Sequence, residues 1–279
     1  MCRAYDNISF RVLTSTQKKR LRALLGSRRS LDQAGVSSLA AQAKAPLREV
    51  EAFALSQGAT PKRYERNLGT LGRDGQSRLL GASVLVVGLG GLGGHVVEML
   101  ARLGVGRITG VDGDSFDETN LNRQIFADLE NLGRPKSEVA RERVRRINPA
   151  VEFTPHAARL ETLGPGMLRG CGLAFDCLDS IPSRLALAAL CSRARVTLVH
   201  GAIAGWCGQV GVCPPGGDLF HKLYGEAKGP RGAEVELGNL PMTAAVAANL
   251  MVAAGLPILL GKPVPRRSLR FFDLQEGNL

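Results

Sequence analysis

The chain has 279 residues, of which 44% are hydrophobic, 22% charged and 5% aromatic, a balance that excludes a disordered or fibrous protein and leaves one large globular domain or two small ones. Its formal net charge of +11 favours an anionic partner over a neutral one, the candidates being a nucleotide, a nucleic acid or an acidic protein. Most of the surplus sits early, since thirteen Lys and Arg face five Asp and Glu in residues 1–66.

Residues 1–62 read as a basic helical segment. Within it, Leu39-Ala40-Ala41, Leu47, Val50 and Phe53-Ala54-Leu55 repeat at three-to-four spacing around a break at Ala45-Pro46, which predicts two short helices and a tight turn. A helix-turn-helix-like module is one reading of that pair, and a small packing or docking module the other. The first residues are interrupted by Arg3, Asp6 and Arg11 and hold no apolar core of signal-peptide length, so a reducing cytoplasm is the expected location.

From Ala82 the texture changes. Ala82–Val87 is a buried-strand run, Val96–Leu103 helical, Arg107–Val111 a second strand and Ser137–Ile147 a charged amphipathic helix. Val151–Thr154, Leu173–Phe175 and Val196–Val199 continue the strands, with Ile181–Arg195 helical between the last two. Alternation of this kind predicts a doubly wound, Rossmann-like α/β domain with a mainly parallel sheet. Gln209–Val212 adds an antiparallel extension, and Pro214–Gly232 reads as a long loop. The apolar stretch Met242–Leu260 is interrupted by Asn249, Gly255 and Pro257, so it is expected as a helix buried in protein, with no membrane partner.

The six cysteines, Cys2, Cys171, Cys177, Cys191, Cys207 and Cys213, contain no C-x-x-C pair, and no zinc site is expected. Cys207 and Cys213 are expected as buried, inert thiols on one strand face, and Cys177 as a core thiol.

The chemistry begins where the first strand of this unit ends. Gly88-Leu89-Gly90-Gly91-Leu92-Gly93 fits Gly-x-Gly-x-x-Gly in a strand-to-helix context, which lets a phosphate approach the backbone at a helix N-terminus. Asp112 closes the next strand, where a carboxylate accepts hydrogen bonds from ribose hydroxyls. These features indicate a nucleotide site without separating nicotinamide from ATP. Arg123, as a fork donor, and Lys136, as a mobile charge, suit the β and γ oxygens of a triphosphate, and Asp179 at a strand's carboxyl end suits Mg²⁺. His200, near the same crevice, is expected as a structural histidine, with a phosphate contact as the alternative.

Taken in order, Arg63-Tyr64-Glu65-Arg66-Asn67, the glycine turn, Thr119-Asn120-Leu121-Asn122-Arg123-Gln124, Gly133-Arg134-Pro135-Lys136 and Asp176-Cys177-Leu178-Asp179 resemble the ThiF/MoeB/HesA family of ubiquitin-activating-enzyme-like adenylyltransferases. The resemblance runs from about Arg63 onward and implies an ATP-binding adenylation domain over residues 63–279. It implies an ATP site built on Gly88, Gly90, Gly91, Gly93, Asp112, Asp114, Thr119, Asn120, Arg123, Gln124, Lys136, Asp179 and Ser180, with Asp179 holding Mg²⁺. By the same resemblance Arg66, Arg123, Lys136 and Asp179 would be catalytic, Arg66 by reaching the neighbouring subunit of a homodimer.

The implied reaction is adenylation of the C-terminal glycine of a ubiquitin-like sulfur-carrier protein with a Gly-Gly end, in thiamine or molybdenum/tungsten cofactor synthesis. Three departures bear on it. The region matching the family's zinc cysteines, Pro214–Tyr224, has none; Gly225–Pro241 has no cysteine for a covalent intermediate; and Ser180 stands where the family usually has Asn. Two alternatives accompany the reading: an ATP-dependent tRNA threonylcarbamoyladenosine dehydratase-like enzyme, and a nucleotide-binding regulator with a DNA-binding N-terminal module. Nucleic acid is the less favoured partner.

Overall fold

The computed structural model describes residues 13–162, 164–226, 229–264 and 268–278; Cys2, Arg3, Asp6 and Arg11 lie outside them. The elements are, in chain order, α1 (Ser15–Leu25), β1 (Ser30–Leu31), α2 (Gln33–Ala43), α3 (Leu47–Ser56), β2 (Thr60–Pro61), a 3-10 helix (Lys62–Asn67), α4 (Leu68–Gly81), β3 (Ser83–Val87), α5 (Gly91–Leu103), β4 (Arg107–Val111), α6 (Lys136–Ile147), β5 (Glu152–His156), β6 (Leu173–Asp176), α7 (Ile181–Ala194), β7 (Leu198–Ala204), β8 (Cys207–Cys213), α8 (Leu219–Tyr224), α9 (Glu234–Leu237), α10 (Pro241–Leu259) and β9 (Ser268–Asp273).

β5-β4-β3-β6-β7-β8-β9 form one sheet, parallel from β5 to β7 and antiparallel through β8 and β9. The chain leaves β3 toward β4 on one side and returns to β6 on the other, which opens a crevice above the carboxyl ends of these strands. The sheet's edges differ: β5 carries Pro155 inside the strand, whereas β9 carries none and, among the described residues, pairs beyond β8 only through a bridge from Asp273 to Asn278.

Helices cover both faces because their apolar stripes have nowhere else to go. α5 buries Leu92, Val96, Val97, Leu100 and Ala101, and ends at Gly104, whose φ of 78° is the left-handed cap that glycine adopts freely. Glu98, also buried, is shared by Arg102 and by Arg143 of α6, which ties the two helices together. α10 is long and apolar enough to cross a membrane, yet it lies against α5, β7 and β8 with half of that apolar stretch buried. Its small residues admit the sheet closely, and a side chain at Gly201 would run into Met251.

The N-terminal segment holds three helices rather than the expected pair, with α2 and α3 on either side of the Ala45-Pro46 break. Seven of α3's ten residues are buried, so it has no open face for a DNA groove. α3 docks instead at the amino ends of the strands: the Arg48 guanidinium donates to the Gly106 carbonyl, and Glu51 accepts from the Tyr64 hydroxyl at 2.9 Å. Tyr64 in turn accepts from Asn148 at 2.9 Å, and Arg63 bonds Asn148 and faces Glu51. Arg63-Tyr64 is thus part of a buried polar joint, in which burial pushes the Glu51 carboxyl up and the Tyr64 phenol well up, while Arg63 pulls Glu51 back.

Pro214–Gly232 is less of a loop than its composition suggests, because Phe220 and Tyr224 find the sheet and fix the short helix α8. Cys213 is buried as expected, but Cys207 is exposed. It opens β8 immediately after the Gly205-Trp206 turn, paired with Asp273 of β9. Local desolvation and the neighbouring Asp273 carboxylate push its thiol up, away from a reactive thiolate.

Candidate functional site

A cavity of about 450 Å³ opens at the carboxyl ends of β3, β4 and β6. Nine of the residues expected from the sequence meet on its wall: Gly88, Gly90, Gly91, Asp112, Asp114, Arg123, Gln124, Lys136 and Asp179. Gly93, Thr119, Asn120, Ser180 and Arg66 do not line it.

The glycine turn is dictated by close approaches. Gly88 has φ 86°, and a Cβ there would overlap the Cys177 carbonyl of the neighbouring strand end. A Cβ at Gly93 would overlap the Gly88 carbonyl, so this glycine serves helix–strand packing from behind the wall. Gly90 and Gly91 leave the wall itself thin, with Gln124 packed over Gly90 and the Arg123 stem over Gly91. The buried Gln124 Oε1 has no hydrogen-bond partner, an acceptor left for a donor entering the cavity.

Asp112 accepts from the Leu89 amide at 2.7 Å and from the Asp114 amide at 2.8 Å, which pins the glycine turn to the end of β4. Burial pushes its carboxyl up, opposed by Lys136. Lys136, the first residue of α6, is buried to 7% exposure with its ammonium 3.5 Å from Asp114 Oδ2. Arg123 donates to the Thr119 carbonyl and to Asn122, which aims it along the wall. Asp179 is exposed and faces Arg231 at 3.4 Å.

The residues outside the wall have identifiable work. Asn120 donates to Asp117 at 3.1 Å and Thr119 donates to the same N-cap carboxylate through its amide at 2.7 Å, so both shape the 3-10 turn (Glu118–Asn120) that presents Arg123. Ser180 is the N-cap of α7, accepting from the Ser183 amide at 3.3 Å. Arg66 is exposed on the 3-10 helix at the other end of the sheet.

Three arginines outside the expected site set also line the cavity. Arg159, Arg184 and Arg231 give it three cations beyond Arg123 and Lys136. Arg184 is buried, donating to the Gly201 carbonyl at 2.8 Å and facing Asp176 at 3.4 Å. His200 lies 2.7 Å from Asp176 through Nδ1, while Tyr224 and Gln209 meet its Nε2 at 3.1 and 3.2 Å. These neighbours assign the proton to Nδ1, donated to Asp176, and make Nε2 the acceptor for the Tyr224 hydroxyl. His200 is therefore the structural histidine expected. Burial pushes its pKa down; burial would raise Asp176, but Arg184 and His200 hold that carboxyl below the usual range. The signal for Arg184 was its place in the first turn of an otherwise apolar helix, directly after the Asp179 strand end.

A glycine turn between β3 and α5, a carboxylate at the end of β4 and five cations around one crevice define a Rossmann-like nucleotide-binding protein. A model of the ThiF family matches residues 64–279, and the chain belongs to that family as an enzyme of the ThiF/MoeB adenylyltransferase type. It is 31% identical over 217 residues to the sulfur carrier protein ThiS adenylyltransferase of Escherichia coli, covering 76% of this chain and 86% of that one. It is 37% identical over 171 residues to the SAMP-activating enzyme E1 of Haloferax volcanii, covering 60% of this chain and 63% of that relative, which is under two thirds of its length. Among solved structures, E. coli tRNA N6-threonylcarbamoyladenosine dehydratase, TcdA, in complex with ATP superposes with a TM-score of 0.61 at 26% identity, over 72% of this chain and 94% of that one.

Proposed function

We propose that the protein binds ATP in the crevice and uses it to adenylate the C-terminal glycine of a small ubiquitin-like sulfur-carrier protein. The observation that carries the reading is the convergence of Arg123, Lys136 and Asp179 on one cavity with the glycine turn. A carboxylate attacking a triphosphate is a meeting of anions, which needs the positive charge of Arg123 and Lys136 and a carboxylate, Asp179, that would hold Mg²⁺. The similarity to the ThiS adenylyltransferase, which spans 86% of that enzyme, supports the substrate class.

The residues present fit ATP. The unpartnered Gln124 Oε1 can accept from a donor on the ligand, and the α5 N-terminus with its thin glycine wall suits a phosphate. They also fit Mg²⁺, which is held by one or two carboxylates plus substrate phosphates rather than by an all-protein cage. Asp179 is that carboxylate, and no cluster of three or more metal-ligating side chains occurs among the described residues. Bound there, the ion supplies charge neutralisation on the triphosphate.

The chain's own groups do the rest. Arg123 and Lys136 hold phosphate oxygens, lowering repulsion as the glycine carboxylate oxygen attacks the α-phosphorus and the bond to pyrophosphate breaks. Arg66, absent from its own subunit's cavity, reaches the partner's in a homodimer and adds a further cation. The carboxylate is itself the nucleophile, so no cysteine intermediate enters.

The test is ATP–pyrophosphate exchange with Mg²⁺ and a panel of Gly-Gly-ended carriers. Exchange that requires a carrier and disappears in Asp179→Ala supports the reading; ATP binding without exchange for any carrier refutes it. A second reading is favoured by the TcdA superposition, which covers 94% of that chain: an ATP-dependent dehydratase acting on threonylcarbamoyladenosine in tRNA. Cyclisation of that nucleoside in the same preparation would select it.

A further inference from the structure

Three arginines from separate elements converge on the Gln57-Gly58 turn at the carboxyl end of α3. Arg22, on α1, donates through Nε to Gln57 Oε1 at 3.1 Å. Arg73, on α4, donates through Nη2 to the Gly58 carbonyl at 3.2 Å. Arg29, just before β1, brings Nη1 within 3.4 Å of the point a Gly58 Cβ would occupy. All three are exposed, and none makes an ion pair with a carboxylate among the described residues. A guanidinium has five N–H donors, so most of this donor capacity faces solvent. Lys18 and Lys19 are exposed on α1 beside them, and residues 13–31 contain no Asp or Glu.

Like charges gathered without a counter-ion repel one another, and the partial negative charge of one helix end offsets only part of that. The arrangement is therefore built to receive an anion. Arg22 and Arg29 lie on the N-terminal segment, which docks at the amino ends of the strands, and Arg73 on the adjoining α4, whereas the nucleotide cavity opens at the carboxyl ends and includes no residue of that segment or of α4. The cluster is thus separate from the ATP site.

We propose that Arg22, Arg29 and Arg73 form a docking site for the phosphate backbone of a folded RNA. The forked, planar guanidinium matches phosphate oxygens two at a time, and phosphate contacts dominate nucleic-acid affinity. Duplex DNA read through its major groove needs a free recognition helix, and α3 is buried. Recognition here rests on backbone and shape, the mode by which structured RNA is bound. The proposal does not rest on the identity of the adenylated substrate.

The experiment measures binding of the full-length protein to an unmodified tRNA transcript by fluorescence anisotropy across 50–200 mM salt, with ATP affinity followed in parallel. The comparison is with the triple variant Arg22→Gln/Arg29→Gln/Arg73→Gln and with the charge-retaining triple variant carrying Lys at the same positions. Each phosphate contact adds roughly 0.7–0.9 to the slope of log affinity against log salt, so with three contacts across that fourfold salt range wild-type affinity should fall about 20- to 40-fold more than that of the Gln variant. The Lys variant should retain most of the slope, and ATP affinity should be the same in all three, which shows that the fold is intact. Absence of tRNA binding by the wild-type protein at low salt overturns the proposal, as does an unchanged slope in the Gln variant. Loss of carrier-protein binding with tRNA binding retained overturns it in favour of a protein-docking surface.

Discussion

Replacing Asp176 by Asn tests the buried network behind the cavity. The side chain is fully enclosed; Oδ1 accepts from the Leu178 amide at 3.1 Å, and Oδ2 faces His200 Nδ1 at 2.7 Å and Arg184 Nη1 at 3.4 Å. An amide has one acceptor. With its oxygen toward His200, its NH₂ points at the Leu178 amide; turned over, NH₂ meets two donors. Either way a buried group is orphaned, at a cost of about 1–3 kcal/mol. The charge of Arg184, whose side chain is 8% exposed, also loses its counter-ion. Breaking a buried pair from one side costs about 3–5 kcal/mol in all, which for a chain of this size lowers Tm by roughly 6–15 °C. Differential scanning calorimetry at pH 7 reads the shift. Arg184→Met on top of Asp176→Asn removes the stranded charge and should recover part of the loss. A Tm within about 2 °C of wild type for Asp176→Asn alone would show that the triad holds no net stabilising charge interaction.

Four further outcomes are expected. His200 has its pKa lowered, so the unfolded chain binds a proton the folded one refuses; stability falls as pH drops below about 6.5, and His200→Gln should flatten that fall by up to about 1.4 kcal/mol per pH unit in denaturant titrations. Lys136→Met should weaken ATP binding ten- to a hundredfold by calorimetric titration, about 1.4–2.8 kcal/mol, without lowering Tm comparably. Gly93→Ala, whose new Cβ meets the Gly88 carbonyl, should abolish ATP binding, whereas Gly91→Ala, whose Cβ meets the Arg123 stem and the Ala244 methyl at ordinary contact distances, should retain it. Deleting residues 1–57 removes Glu51 and α3 from over Tyr64 and Leu80; the truncated chain should elute as aggregate in size-exclusion chromatography, and a monodisperse product of unchanged Tm would contradict the joint described above.

The sequence exposes the parts of this fold whose signals are local. Five parallel strands announce themselves as apolar runs, and the glycine turn is legible because its spacing and its strand-to-helix setting occur together. β9 is not legible: Phe271 and Phe272 are adjacent, one exposed at 66% and one buried, so the segment lacks the alternation of a half-buried strand. α8 hides in a glycine- and proline-rich stretch because it is held by contacts to His200, far away in sequence. Among site residues, Lys136 and Arg123 were accessible from motif spacing, whereas Asp176 and Arg184 matter through each other and through His200. A pairing across 8 and 24 residues leaves no periodic trace. Asn120 and Ser180 carry the right chemistry in the right motifs, yet both face backbone and carboxylate groups of their own turns, a distinction only side-chain direction reveals.

The two margins of the sheet are not equivalent as templates. At β5, Pro155 offers no N–H to an incoming strand and interrupts any ladder built outward from it. β9 has no such interruption, and among the described residues its outer flank is occupied only where Asn278 bridges Asp273. Growth of the sheet by a foreign strand, whether from a peptide, a second copy or a misfolded neighbour, therefore has one permitted direction. That direction leads away from β3, β4 and β6, so added strands would lengthen the sheet without crossing the crevice.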